Sequence, residues 1–248
     1  MYSALSAATL ILVAVAGPAG ATDPNDAILS AARQGDLAGV QALVAEGATV
    51  DAHGDDYRTP LFLAAQFDHL EVVEYLLGHG ASVNLKSRRG VTALMAAANS
   101  GGLAVTEALV AHGAEVNAQN ANGSTALMRA VERGREDIVR TLLRGGANMN
   151  MKDELGRTAL MRAATQGHAP IAKLLLDSGA ALNEKSGAGW TACMLAAAGG
   201  HEEALEVLLA RGADVRAATN LGQTAETLAA GRGYTVIVQR LREAAGGR

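Results

Sequence analysis

The chain has little of what most globular domains rely on. Among its 248 residues there is one cysteine, Cys193, and aromatics make up only 3%, with a single Trp. One cysteine excludes an intrachain disulfide framework. The scarcity of rings argues against a single large core, which draws much of its buried area from aromatics. The net charge is -4 and no run of five like charges occurs, so neither an acidic tail nor a basic arm is present. Bulk electrostatics therefore give no reason to expect a nucleic-acid partner. No GxSxG, HExxH, P-loop or GxGxxG context is found. The apolar stretch at residues 4–16 is too short to span a bilayer comfortably, since a span needs about 20 residues.

That stretch reads instead as an export signal. It is followed by Gly17-Pro18 and by Ala19-Gly20-Ala21, an A-x-A site, which predicts cleavage after Ala21 and a mature chain of 22–248 in the periplasm or outside the cell. The segment departs from the usual pattern in having no Lys or Arg ahead of its apolar run. No Cys follows it to carry a lipid, and stable membrane insertion is not expected.

What the chain has in abundance is repetition. Thr59, Thr92, Thr125, Thr158, Thr191 and Thr224 are each 33 residues apart, opening TPLFLAA, TALMAAA, TALMRAV, TALMRAA, TACMLAA and TAETLAA. A degenerate copy begins one period earlier at Asp26. Thr is a good helix N-cap, and Pro60 fits a first turn that needs no donor. Nine residues after the Thr stands a Gly suited to a left-handed helix end, replaced once by Asp68. A second helix follows with one apolar face, for example Val72, Leu76 and Leu77, and ends at Gly-Ala. Then come an apolar residue and usually Asn, as in Val83-Asn84 and Val116-Asn117, predicted to supply turn chemistry for a finger between helix pairs.

These strings resemble the ankyrin repeat, a 33-residue unit with Thr-Pro-Leu-His near its first helix, over about residues 24–245. The resemblance implies an all-α solenoid of about seven helix-turn-helix units with short β-like fingers, starting near 22, 54, 87, 120, 153, 186 and 219. It also implies a non-catalytic protein-binding function. The family's His is replaced by Phe62, Met95, Met128, Met161 and Met194, and the last copy carries Glu226 where Leu is expected, as suits a terminal unit with a solvated side.

The Met column invites two further readings, a thioether metal site or a sacrificial oxidant sink, and hence an oxidative-stress or metal-handling protein. Core packing is favoured, because each Met follows a core Leu or Cys on a short helix. The histidine pairs His168/His201 and His79/His112 lack a third ligand, and Cys193 occupies a core Leu slot where its thiol would be inert. No cofactor, metal site or catalytic residue is therefore expected, and the chain is expected to be a monomer.

Residues that vary while the frame stays constant are those the fold does not dictate. By the ankyrin resemblance they line the concave groove and finger tips where partners dock. The candidates are Trp190, Arg129, Arg133, Arg157, Arg162, Leu155, Phe67, Arg88 and Arg89. Trp and Arg are the types most enriched at interface hot spots. Trp190 precedes Thr191 at what reads as a finger tip, either stacked on Arg157 or free to meet a partner, and truncating it should then spare stability. The central arginines lie among Glu132 and Glu154, so the groove suits an acidic segment with an apolar anchor. The held protein would be an exported enzyme, shielded or inhibited, or an envelope protein held in place.

Overall fold

The computed structural model describes residues 23–246. The segment at 1–21 that the sequence reads as an export signal lies outside them. Among the described residues there are fourteen helices and no strand, in seven pairs: α1 Pro24–Gln34 with α2 Leu37–Ala45, α3 Pro60–Gln66 with α4 Leu70–Gly78, α5 Ala93–Ser100 with α6 Leu103–Ala111, and α7 Ala126–Glu132 with α8 Glu136–Arg144. The remaining pairs are α9 Ala159–Gln166 with α10 Ala169–Asp177, α11 Ala192–Gly199 with α12 Glu202–Ala210, and α13 Ala225–Ala230 with α14 Thr235–Gly246. First helices stack on first helices and second on second, giving two layers. This is the expected all-α solenoid.

Each first helix begins where the period places it. Thr59, Thr92, Thr125, Thr158, Thr191 and Thr224 all sit in extended backbone, and their hydroxyls accept from the N–H three residues on at 3.2–3.4 Å. Such a cap contributes about 1 kcal/mol, and five of the six Thr are themselves buried. The residue capped is Phe62 or a ladder Met in the first five of these units and Thr227 in the last. Met95, Met128, Met161 and Met194 are each 1% exposed, so the column is core.

Three devices couple neighbouring units, and the sequence announced only part of them. The periodic Asn is not a local turn former. Asn84 Oδ1 accepts from Glu115 N–H at 2.8 Å while its Nδ2 donates to Gly113 O at 3.2 Å; Asn117 does the same with Asn148 and Gly146. Asn150 and Asn183 continue the ladder to Ala181 and Asp214, and Asp51 begins it at Ser82. An amide carries both a donor and an acceptor, so one side chain satisfies two backbone groups of the next unit. A second device is the ring at the start of the outer helix: His69 Nε2 donates to Arg33 O at 3.0 Å and His201 Nε2 to Thr165 O at 2.8 Å. The ring lies against the Gly that ends the preceding first helix. A Cβ at Gly167 would stand 2.5 Å from His201 Nδ1, so that Gly is required for close approach as well as for its φ of 72°.

The third device is a reversal of the second. Where other units end on Gly, unit two ends on Asp68 at φ 62°, and where its neighbours present His69, Arg135, His168, His201 or Tyr234, unit three presents Gly102. A Cβ on Gly102 would lie 2.0 Å from Asp68 Oδ1. The Asp68 carboxylate thus fills from below the volume that a ring fills from above elsewhere, and it brings a negative charge to the N-terminus of α6. At the C-terminal end, Glu226 is half-buried and bridged by Arg242 of α14 at 2.7 Å, a polar closure of the stack.

Candidate functional site

Between helix pairs the chain projects a short finger. Five of the six are closed at the base by a backbone hydrogen bond to the carbonyl of the residue before the capping Thr: Ser87 to Val91, Asn120 to Ser124, Asp153 to Arg157, Ser186 to Trp190 and Thr219 to Gln223. The side chain opening each of these also accepts backbone N–H groups from inside the turn. Neighbouring fingers are stitched by a single backbone bond of 2.8–3.2 Å, as from Ala121 N–H to Arg89 O. The tips are two residues after that opening residue: Arg89, Asn122, Leu155, Ala188 and Leu221.

This geometry corrects the placement of Trp190. The slot before Thr is the base of the finger, not its tip, because its carbonyl closes the hairpin. Trp190 is half-buried, packs on the main core and holds Ser186 at 2.9 and 3.1 Å. It has no stack with Arg157, whose guanidinium pairs with Asp153 instead. Trp190→Ala is accordingly expected to cost about 1–2 kcal/mol of stability, from the loss of a partly buried ring. A thermal melt matching that of the wild type would contradict this assignment.

Arg157 and Arg162 are both engaged by one carboxylate, Asp153. Asp153, with a side chain 2% exposed, accepts from Leu155 N–H at 2.9 Å, Arg157 N–H at 2.8 Å, Arg157 Nε at 2.9 Å and Arg162 NH2 at 2.8 Å. Arg162, 11% exposed, also reaches Glu132 at 3.1 Å. Burial alone would push the Asp153 carboxyl up, but the Arg157 hydrogen bonds and the charges of Arg157 and Arg162 outweigh it and hold the group below its ordinary range. These two arginines build the fifth unit's finger, Arg162 from its buried side and Arg157, with a side chain 41% exposed, from its rim. The tip of that finger offers Leu155, 61% exposed.

The other arginines are free. Arg88, Arg89 and Arg133 are exposed and Arg129 is half-buried, and among the described residues none has a carboxylate within ion-pair distance. Arg89, Arg129 and Arg133 converge, with Arg58, on one recess of about 490 Å³ between the fingers and the first helices of units two to four. Its floor is Phe62, Val91, Met95 and Ala96, and no Asp or Glu lines it. The recess exists because the slot four residues after Thr, filled by Arg129, Arg162, Leu195 and Leu228 in later units, holds only Ala96 in unit three. Phe67 is 40% exposed with Arg33 at 5.2 Å over its ring. One exposed ring escaped the sequence reading. Tyr57, 50% exposed at φ 59° with Arg88 5.9 Å from its ring, stands where five other units have Gly two residues before Thr. That departure was visible in the sequence, as was the solvent-facing Leu221 at the last tip.

Among the described residues no three His, Cys, Asp or Glu are grouped as metal ligands, and no helix is long and apolar enough to cross a membrane. Cys193 is buried, and desolvation followed by the charge of Asp214 pushes its thiol up to about 12, so it stays protonated at neutral pH. The Met ladder is shielded from oxidants in the folded state. At peroxide doses that convert the half-buried Met149 and Met151, the four ladder methionines are expected to remain reduced until urea opens the stack, as peptide mass mapping would read. Sulfoxide forming on all four in a protein that keeps its melting temperature would revive the oxidant-sink idea.

Stacked two-helix units with stitched fingers and a groove of residues the frame does not use define a helical repeat scaffold. A family model described as ankyrin repeats in three copies matches the chain in overlapping segments, 6–87, 28–120, 94–186, 143–219 and 181–247, and the chain belongs to the ankyrin-repeat family. Such repeats are in general protein–protein interaction modules rather than catalysts. No curated protein matches the chain.

Proposed function

We propose that the protein is a non-catalytic binding module that holds a partner protein in the groove between its fingers and first helices, acting as a monomer in an exported compartment. The observation that carries this is the set of groove side chains without an internal role: Arg88, Arg89, Arg129 and Arg133 with no carboxylate, beside the exposed rings of Tyr57 and Phe67. Tyr and Arg in such positions are the types that anchor interfaces. Export rests on the apolar segment at 4–16 and its A-x-A site, and puts the mature chain at 22–248. In that compartment the bound protein would be shielded, inhibited or held in place.

A photo-crosslinking amino acid placed at Phe67 or Leu155, against one placed at Lys173 on the second-helix layer, tests the groove in the producing cell. Discrete adducts from the first two and none from the third are expected; adducts from all three alike, or from Lys173 alone, would contradict groove binding. The mass of the protein recovered from the exported fraction should begin at Thr22, and a full-length chain retained inside the cell would remove the export claim.

A further inference from the structure

The recess of units two to four has a chemistry of its own, and resting on the groove reading above, it narrows the partner. Its rim carries Arg58, Arg89, Arg129 and Arg133, and only Arg58 has an internal counter-ion, Asp56 at 2.8 Å. Arg129 lies on α7 and Arg133 caps its C-terminus one turn later, still in helical backbone, so their side chains rise from one face, and Arg133 is steadied by Asn99 at 3.1 Å. Three guanidiniums without carboxylates leave a positive rim on a protein of net negative charge. The floor is apolar and joins units two and three, where a separate buried cluster of Phe62, Leu63 and Ala96 comes against Val91, the unit-three part being Val91, Met95 and Ala96. A ligand that suits both parts must present a carboxylate and an apolar side chain together.

The repeat sets their spacing. Neighbouring helices in a packed layer lie 8–10 Å apart; a chain in the polyproline II form advances about 3.1 Å per residue and returns a side chain to the same face every third residue. A chain crossing the units therefore meets the unit-three floor and the unit-four rim about three residues apart. We propose that this recess binds an acidic segment of the partner protein, laid across the units in the polyproline II form. Its apolar side chain sits on Val91 and Ala96, and a carboxylate about three residues away pairs with Arg129 and Arg133. A second carboxylate on the other side would reach Arg89. The recess is of a size that holds a few side chains, within the range of small-ligand pockets of about 300–1,000 Å³. Single-stranded nucleic acid fits less well, because base stacking needs a bare ring, and the only ring in the recess, Phe62, is 7% exposed and faced by Arg58 at 5.5 Å.

The test uses the full mature chain and fluorescein-labelled synthetic peptides of about a dozen residues, read by anisotropy at low and moderate salt. The probe peptide has one Leu with a Glu three residues to each side in a Gly-Ser background. Its controls replace Glu by Gln, replace Leu by Ser, or move both Glu next to the Leu; an oligothymidylate of similar length is the nucleic-acid arm. The probe is expected to bind best, weakening at least tenfold with Gln and several-fold with Ser or with the altered spacing, with an affinity that falls as salt rises. Arg129→Glu with Arg133→Glu should lose at least tenfold. So should Ala96→Arg, which fills the recess with the residue that units four and five already tolerate in that slot. Arg140→Glu with Lys173→Glu, on the second-helix layer, should change nothing. No probe binding at about 1 mM, equal binding of the Gln peptide, indifference to both recess variants, or tighter binding of the oligothymidylate would each overturn the proposal. If the probe fails while crosslinking at Phe67 persists, only the acidic motif falls; if both fail, the groove reading falls with it.

Discussion

Asp153→Ala is expected to destabilise the protein by about 3–5 kcal/mol, more than any other polar truncation in the chain. Its carboxylate is buried and takes four hydrogen bonds, two from backbone N–H groups of its own finger and two from guanidiniums. Removing it leaves Arg162, itself mostly buried, with only Glu132 as a counter-ion, and an uncompensated buried charge carries a cost of that order. Asp153→Asn should cost about half as much. In the preceding unit Asn120 organises the same turn, its Oδ1 accepting from the N–H groups of Asn122 and Ser124, so the amide keeps the finger and gives up only the charge. Urea unfolding followed by circular dichroism would measure both. Because each repeat contacts only its neighbours, the Ala variant should also split the unfolding transition, with amide exchange rising first in residues 153–166. A loss under about 1 kcal/mol with a single sharp transition would contradict this.

The same group gives a pH dependence whose sign is fixed. The folded carboxyl titrates below its ordinary value of 3.8, so its contribution is complete above that value and is lost as pH falls through the lower folded one. The gap between wild type and Asp153→Ala should be widest at neutral pH and should narrow below about pH 4. A gap that stayed constant into acid would mean that the charge is immaterial and only the turn matters.

Much of the fold was legible because a 33-residue period leaves little freedom. Thr caps, Gly ends and apolar faces are local chemistry, and each acted as local chemistry predicts. Features that depend on the neighbouring unit were harder to read. Asn84 looked like a turn residue because nothing in its own unit reveals that both halves of its amide are spent on Glu115 and Gly113, about thirty residues ahead. Trp190 looked free because its slot varies between copies, yet variation at a finger base is compatible with half-burial when the ring packs inward. Arg157 and Arg162 were drawn from the same variable positions as Arg129 and Arg133. What separates the two pairs is one residue, Asp153, the one carboxylate that opens a finger among the described residues, which engages both of its arginines. The recess itself could have been found from Ala96, the one small side chain in a slot that holds Leu or Arg in every other Thr-capped unit.

A double-mutant cycle at Asp68 and Gly102 tests how far the units are interchangeable. Gly102→His alone should cost about 2–3 kcal/mol, since its Cβ would land 2.0 Å from Asp68 Oδ1 and displace a packed carboxylate. The backbone is no obstacle: Gly102 sits at φ -73° and ψ 94°, close to the -78° and 73° at which His168 stands in unit five. Asp68→Gly alone should be nearly neutral, relief of its left-handed strain offsetting the hole it leaves. Made together, the two changes recreate the Gly-under-ring arrangement of Gly167 and His201, and the pair should return to within about 0.5 kcal/mol of wild type, a coupling of roughly 2 kcal/mol. Additive losses would show that Asp68 serves α6 by its charge at the helix N-terminus rather than by its volume. Full rescue would show that the junction between units two and three is the general junction with its two halves exchanged, and that the only constraint is that one side chain, from either unit, fills the gap between them.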